Sequence, residues 1–180
     1  FPWSSRYLKN GLRNHFSTIG LVGGHEACLN LIGKGIDTKE GAELMQRTLR
    51  MLREKTREFQ ERTGNLYNLE ATPAEGTSYR LARLDRKRWP DIAASGTPET
   101  PYYTNSTNLP VGHTDNAFAA LEHQDALQTL YTGGTVFHTF LGEAVADPAA
   151  LESYLKKAMS RTKLPYISLT PTFSICTRHG

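Results

Sequence analysis

Short apolar runs and stretches of helical periodicity alternate along the chain. Runs rich in β-branched and aromatic residues predict strands. These lie near residues 17–22, 66–71, 135–141 and 165–170. Between them, helical composition, or apolar residues that recur every three or four positions, predicts helices. These cover residues 25–32, 37–64, 77–87, 115–130 and 147–159. Strands separated by helices favour an α/β fold with mostly parallel strands.

The longest predicted helix has recognisable signals at both ends. Asp37, Thr38 and Glu40 make a start that resembles a capping box, and Gly64 is a typical helix stop. Its apolar positions are spaced by four, three, four and three residues, while charged residues fill the positions between them. This pattern predicts an amphipathic helix packed on the core. The positions are Met45, Leu49, Leu52, Thr56 and Phe59.

The stretch from 66 to 87 predicts a strand, a tight turn and a helix. Thr72-Pro73 favours an extended residue before the proline, and Gly76 could supply the bend into a helix whose first turn holds Thr77 and Ser78. The first N–H groups of such a helix have no internal partner and favour an anion. Two interpretations stay open: a phosphate site, or a turn in which Thr72 or Thr77 merely caps the helix.

Glu75 belongs to the same turn, and its charge supports two opposite arguments. A carboxylate in the first turn of a helix is favoured by the helix dipole, yet it would repel a phosphate that shares its space. The positions of the strand ends favour the phosphate interpretation, because ligands of parallel α/β folds gather at the carboxyl ends of strands. Those ends are expected at residues 23–24, 72–73, 142–143 and 171–172.

Composition excludes several classes of protein. The net charge of the 180 residues is +3 with both signs interspersed, so no nucleic-acid partner is predicted. No run of about 18 apolar residues occurs, and no membrane span is predicted. Two cysteines far apart in sequence do not make a secreted disulfide framework, which favours a reducing, cytoplasmic location. The chain starts at Phe1 and stops at Gly180, and we expect both ends to continue in a longer protein.

Several single residues are of types that often take part in catalysis or metal binding. For His25, Glu26, Cys28 and His138 a structural role is preferred. His25 and Glu26 crowd the start of a helix but do not share a face, so capping or packing is expected. Cys28 is expected in the core, as free cysteines usually are. His138 lies in the middle of a strand and is expected to be a hydrogen-bonded core histidine. The hydroxyls and amides of residues 102–108 could satisfy their own loop or bind a polar ligand.

Four blocks of the sequence closely resemble the anaerobic (class III) ribonucleoside-triphosphate reductases. They occur in that family's order and span nearly all of the chain, so no single motif carries the likeness. The blocks are residues 64–80 (GNLYNLEATPAEGTSYR), 102–107 (YYTNST), 131–138 (YTGGTVFH) and 170–176 (TPTFSIC).

The resemblance implies a glycyl radical enzyme built on a ten-stranded α/β barrel, with residues 1–180 as one fragment of the C-terminal part of that catalytic barrel. Such enzymes convert ribonucleoside triphosphates to deoxyribonucleoside triphosphates. A separate activase, which uses S-adenosylmethionine and an iron–sulfur cluster, installs the glycyl radical. Formate or a thioredoxin-like protein supplies the electrons, and the resemblance also implies a homodimer.

Carried over to this sequence, the family's triphosphate cradle falls on Thr72, Ala74, Glu75, Gly76, Thr77 and Ser78. Residues 20–26 resemble a glycine-rich block that ends in a glutamate, although Gly24 and His25 depart from it. Cys176 and His179 resemble the opening of a zinc-binding segment over 172–180, an incomplete site because two ligands do not hold a structural ion.

The resemblance places no catalytic residue in this chain. Neither Cys28 nor Cys176 matches the family's thiyl cysteine, and no glycine here matches the radical glycine. The 180 residues alone are therefore expected to be inactive. The alternative hypothesis is a non-catalytic nucleotide-binding or assembly module derived from the same family.

Overall fold

The computed structural model describes residues 4–8, 13–141 and 147–171. Helices and strands alternate through this part of the chain. The helices are α1 (Ser4–Tyr7), α2 (Gly24–Ile32), α3 (Lys39–Thr63), α4 (Glu75–Arg88), α5 (Ala117–Gln128) and α6 (Pro148–Arg161). The strands are β1 (Phe16–Leu21), β2 (Leu66–Ala71), β3 (Ser95–Gly96), β4 (Pro101–Tyr102), β5 (Phe137–Leu141) and β6 (Ile167–Pro171).

The longer strands form two parallel pairs, as predicted. β1 pairs with β2 from Phe16 opposite Leu66 to Leu21 opposite Ala71. β5 pairs with β6, and Phe137 lies opposite Ile167. The connection after α4 contains the short antiparallel pair β3–β4. Gly96 has a φ of 83°, and this left-handed residue ends β3 before the chain returns as β4.

The segment 132–134 joins the two pairs along the free edge of β2. The N–H groups of Thr132 and Gly133 donate to the Leu69 carbonyl at 3.1 and 2.7 Å, and the Ala71 N–H donates to the Gly134 carbonyl at 2.9 Å. The Leu69 N–H donates to the Thr132 hydroxyl at 3.0 Å. A Cβ on Gly133 would lie 3.1 Å from the Asn68 side chain, so the close approach favours glycine. β2 is consequently hydrogen-bonded on both edges.

The helices bury one face of the strands. The α3 residues Met45, Leu49 and Thr56 are buried, which confirms the predicted amphipathic helix. The main core cluster consists of Cys28, Ile36, Met45, Leu49, Leu69, Leu127 and Tyr131, and a second cluster of Leu121, Phe137 and Ala158 lies under β5 and α6.

Side chains alternate between the two faces of each strand. Ile19 and Leu69 pack into the main cluster, whereas Gly20 and Glu70, a register pair, belong to the opposite face. That second face is more polar and less buried. The carboxyl ends of β1 and β2 therefore carry an apolar side, which the helices cover, and a polar side.

Replacing Leu49 by alanine should lower the free energy of unfolding by ~2–5 kcal/mol, because the removed side chain is fully buried in the main cluster. Urea denaturation followed by circular dichroism measures the change. Leu31→Ala is the matched control, since Leu31 is 72% exposed on α2, and it should change stability by less than ~0.5 kcal/mol. Equal effects of the two substitutions would contradict this description of the core.

Candidate functional site

The turn between β2 and α4 is tighter than the sequence predicts. Ala74 and Glu75 have φ values of 56° and 34°, and the Glu75 N–H donates to the Pro73 carbonyl at 2.7 Å. α4 begins at Glu75, so Gly76 already lies in the helix. The expectation that Gly76 supplies the bend and that the helix begins at Thr77 was wrong. Two residues other than glycine adopt the left-handed conformation, a strain that often occurs at functional sites.

The N-cap residue of α4 is Ala74, and no side-chain cap bond is found at this helix start among the described residues. The N–H groups of Thr77 and Ser78 share the Ala74 carbonyl at 2.8 and 3.2 Å. Within the described residues, the Gly76 N–H and the hydroxyls of Thr72 and Thr77 make no hydrogen bond. The simple capping interpretation is therefore wrong, and the turn leaves one amide and two hydroxyls without a partner in the described part of the chain.

Gly76 and Thr77 line a concave surface of about 510 Å³ at the start of α4, and Thr72 directly precedes its first lining residue. The lining consists of Pro73, Ala74, Glu75, Gly76, Thr77 and Arg80. Arg80 was missed as a candidate in the sequence. Its position could have indicated it, because Arg80 lies one turn beyond Thr77 on the same helix face. The guanidinium and the positive end of the helix dipole both favour an anion in this concavity, while the Glu75 carboxylate opposes one.

Ser78 faces away from the concavity. Its side chain is 3% exposed, its hydroxyl donates to the Tyr103 carbonyl at 2.5 Å, and it accepts from the Tyr103 N–H at 3.0 Å. The Tyr103 hydroxyl donates to Asp85 Oδ2 at 2.8 Å, and burial together with this carboxylate raises the pKa of Tyr103. Ser78 therefore connects α4 to the loop after β4, and its hydroxyl is not free for a ligand in this arrangement.

Glu26 is a buried carboxylate that holds the same loop. It is 1% exposed and accepts from the Thr104 N–H at 3.0 Å, the Thr104 hydroxyl at 2.7 Å and the Ser95 hydroxyl at 2.5 Å. His25 Nδ1 accepts from the Ile36 N–H at 3.3 Å. Both residues have the structural role that was expected.

Cys28 lies in the core, as expected. It is fully buried, and its thiol donates to the Gly41 carbonyl at 3.5 Å. Burial is the largest cause that raises the pKa of the Cys28 thiol, and the Asp37 and Glu26 carboxylates add to it.

The polar loop over residues 104–108 mostly satisfies itself and its neighbours. The hydroxyl of Tyr131 bonds to those of Ser106 and Thr107, and burial raises the pKa of Tyr131. Gln124 Nε2 donates to the Thr107 carbonyl at 3.0 Å, and Gln128 Nε2 donates to Asn108 Oδ1 at 3.2 Å. Of the two interpretations left open for this loop, the structure favours the internal one for these residues.

A second cavity of about 660 Å³ lies between the polar loop and β5, and His138 lines it. The expectation of a core histidine was wrong, because His138 is exposed and its ring lies 6.1 Å from that of Phe140. Phe137 and Thr139 are the buried residues of β5, so strand alternation places His138 on the opposite face.

The predicted zinc-binding segment, with Cys176 and His179, lies outside the described residues. Within the described ranges, no three His, Cys, Asp or Glu side chains come close enough together to hold a metal ion. In the same ranges, no helix has the length and apolar character needed to cross a bilayer.

Parallel strand pairs with helices on one strand face define an α/β protein. The chain belongs to a known family within this class: the model of the anaerobic ribonucleoside-triphosphate reductase family matches residues 1–180. The resemblance of the four sequence blocks is thereby confirmed.

Relatives of this family match nearly the whole chain. The anaerobic ribonucleoside-triphosphate reductase of Haemophilus influenzae is 28% identical over 178 residues, which cover 98% of this chain and 24% of that protein. The Enterobacteria phage T4 enzyme of the same name is 30% identical over 151 residues, which cover 81% of this chain and 22% of that protein. The chain thus spans about a quarter of the length of these curated relatives.

A solved structure shares the fold. The anaerobic ribonucleotide reductase of Thermotoga maritima, with MES in its active site, superposes with a TM-score of 0.74 at 20% identity and covers 97% of this chain and 31% of that one. The likeness confirms the α/β fold of that reductase type. The described strands form pairs, so the ten-stranded barrel is not itself visible in this chain.

Replacing Ser78 by alanine should lower the free energy of unfolding by ~1–2 kcal/mol, because the part-buried N–H and carbonyl of Tyr103 lose their partner. Thermal denaturation measures the effect. Ser160→Ala removes an exposed hydroxyl that bonds within α6 and should leave stability nearly unchanged. A Ser78 variant as stable as that control would contradict the assigned contact.

Iodoacetamide should alkylate Cys28 at least ~100-fold more slowly in the native protein than in urea at pH 8, measured by mass spectrometry in a Cys176→Ser background. The native thiol keeps its proton when the unfolded thiol ionises above about pH 8.5, so this group makes stability fall as pH rises. Rapid native alkylation would show that Cys28 is accessible.

Proposed function

We propose that this chain is a part of the catalytic barrel of an anaerobic ribonucleoside-triphosphate reductase, which converts ribonucleoside triphosphates to deoxyribonucleoside triphosphates. The family match along all 180 residues supports the reaction class. The observation that carries the role of this segment is the free N-terminus of α4 at the carboxyl end of β2. The segment binds the triphosphate group of the substrate there.

The groups around the turn suit a phosphate. The Gly76 N–H and the Thr77 hydroxyl are donors without a partner among the described residues, and both residues line the concavity. Backbone N–H groups and hydroxyls at a helix N-terminus bind phosphate oxygens without reading a base. Thr72 and Ala74 form the turn that leads into α4. On the helix side that faces away from the concavity, Ser78 bonds to Tyr103 and holds α4 in place.

Arg80 gives the site its positive charge. A guanidinium forms charge-assisted hydrogen bonds with phosphate, which are stronger than neutral ones. Glu75 also lines the concavity and would repel the same anion. Arg80 offsets that repulsion, and its side chain completes the cradle that we assign to residues 72–78.

The whole enzyme requires groups that these residues do not supply. We propose that the radical glycine and the thiyl cysteine lie outside the 180 residues, and that Cys176 and His179 join further ligands in a zinc site. The proposed partners are a radical S-adenosylmethionine activase with an iron–sulfur cluster, formate or a thioredoxin-like reductant, and a second subunit, all in the cytoplasm. One related Thermotoga maritima structure is a complex with dATP and CTP, which supports nucleotide binding.

Replacing Arg80 by glutamine in the natural full-length protein should weaken binding of a ribonucleoside triphosphate about tenfold or more, because a hydrogen bond to a charged group is lost. Isothermal titration at low and moderate salt measures the affinity, and the salt dependence should decrease. Thr77→Ala should weaken triphosphate binding as well, while neither substitution should change the affinity for the unphosphorylated nucleoside.

Arg83→Gln is the matched control, since Arg83 is exposed on α4 but does not line the concavity. Its affinity for the triphosphate should stay within about twofold of the natural value. Equal losses in the Arg80 and Arg83 variants would show only a general charge effect. Full affinity in both the Arg80 and Thr77 variants would place the triphosphate elsewhere.

A further inference from the structure

Gly20 of β1 lies beside the Thr72 side chain, which follows the end of β2 and occupies the space where a Gly20 side chain would be. A Cβ on Gly20 would lie 2.9 Å from Thr72 Cβ and well inside van der Waals distance of Thr72 Oγ1. The backbone of Gly20 is not in the left-handed region, so the conformation of the chain does not demand glycine there. The reason for a glycine at this position is therefore the volume that Thr72 occupies.

The register of β1 and β2 explains why Thr72 reaches Gly20. Gly20 pairs with Glu70, and Thr72 follows two residues later on the same face. The Glu70 side chain lies toward the other edge of β2, where a Cβ on Gly134 would come within 3.4 Å of it. Thr72 instead leans toward β1 and lies over Gly20.

This packing also fixes the position of the Thr72 hydroxyl. Thr72 is half-buried, and its Oγ1 makes no hydrogen bond to any described residue. It stands directly before Pro73, where the lining of the concavity begins. A hydroxyl held in place, partly shielded from water and without a partner is preorganised to donate to a ligand oxygen.

We propose that Gly20 is a positioning residue for phosphate binding: the space above it seats the Thr72 side chain so that Thr72 Oγ1 donates to a phosphate oxygen of the triphosphate. The proposal rests on the proposed function of the turn. It extends the site from the turn to the neighbouring strand β1, which otherwise contributes nothing to the cradle.

The test is a double-mutant cycle in the natural full-length protein with Gly20→Ala, Thr72→Ala and the double variant. Isothermal titration measures the dissociation constants of a ribonucleoside triphosphate and of the same unphosphorylated nucleoside. Thr72→Ala removes Oγ1 and Cγ2 and leaves the Cβ approach of 2.9 Å, which still requires the backbone of the two strand ends to move slightly. Each single variant should bind the triphosphate about tenfold more weakly and the nucleoside unchanged.

The affinity of the double variant tests whether Gly20→Ala acts through the Thr72 hydroxyl. The double variant should bind the triphosphate within about twofold of Thr72→Ala alone, because the added methyl group acts mainly by displacing Oγ1 and the remaining Cβ approach of 2.9 Å needs only a slight adjustment. Losses that multiply in the double variant, or full affinity of Gly20→Ala, would overturn the proposal. Equal loss for nucleoside and triphosphate would also overturn it, since that indicates general damage to the barrel.

Two further outcomes separate this proposal from the proposed function. If Thr77→Ala and Arg80→Gln weaken triphosphate binding but Gly20→Ala and Thr72→Ala do not, the cradle stands and the role of Gly20 fails. If none of the four weakens it, the proposed function fails. Should Gly20→Ala not fold, recovery of folding in the double variant would support the contact, and failure of both would refute it.

Discussion

Hydrogen bonding along both edges of β2 is the constraint on which the rest of the structure depends. β1 fixes one edge through a continuous parallel register, and the segment 132–134 fixes the other through Leu69 and Ala71. Because a shift of one residue would move Leu69 out of the main cluster, the core and the ladders specify the same register. The position of the strand's carboxyl end follows from that register, and with it the location of the turn into α4.

Buried and part-buried polar contacts then attach the loop after β4 to three helices. Glu26 of α2 holds Thr104, Ser78 of α4 holds Tyr103, and Gln124 of α5 holds the carbonyl of Thr107. Buried polar groups are costly when unpaired, so each contact constrains both of its partners. The loop therefore braces α4 from the side opposite to the concavity, and movement of the helix start would break bonds in the interior.

The sequence predicts the elements better than the faces they present. Cap residues and the spacing of Met45 and Leu49 were enough for α3, because those signals are local. The roles of Ser78 and His138 depend on long-range contacts: Ser78 meets Tyr103, and His138 lies on the strand face opposite to Phe137. The bend at Ala74 and Glu75 was missed for a different reason, since nothing in those residue types indicates a positive φ.

The strained pair Ala74–Glu75 is maintained by its neighbours. A left-handed residue other than glycine costs roughly 1–2 kcal/mol, and neither side chain makes a hydrogen bond in the described structure that offsets this. On one side, Thr72 is seated over Gly20. On the other, Ser78 is bonded to Tyr103. Contacts on both flanks restrain the pair, so the shape of the concavity is set by the chain itself. A ligand of the kind proposed for this turn would not have to supply the cost of shaping it.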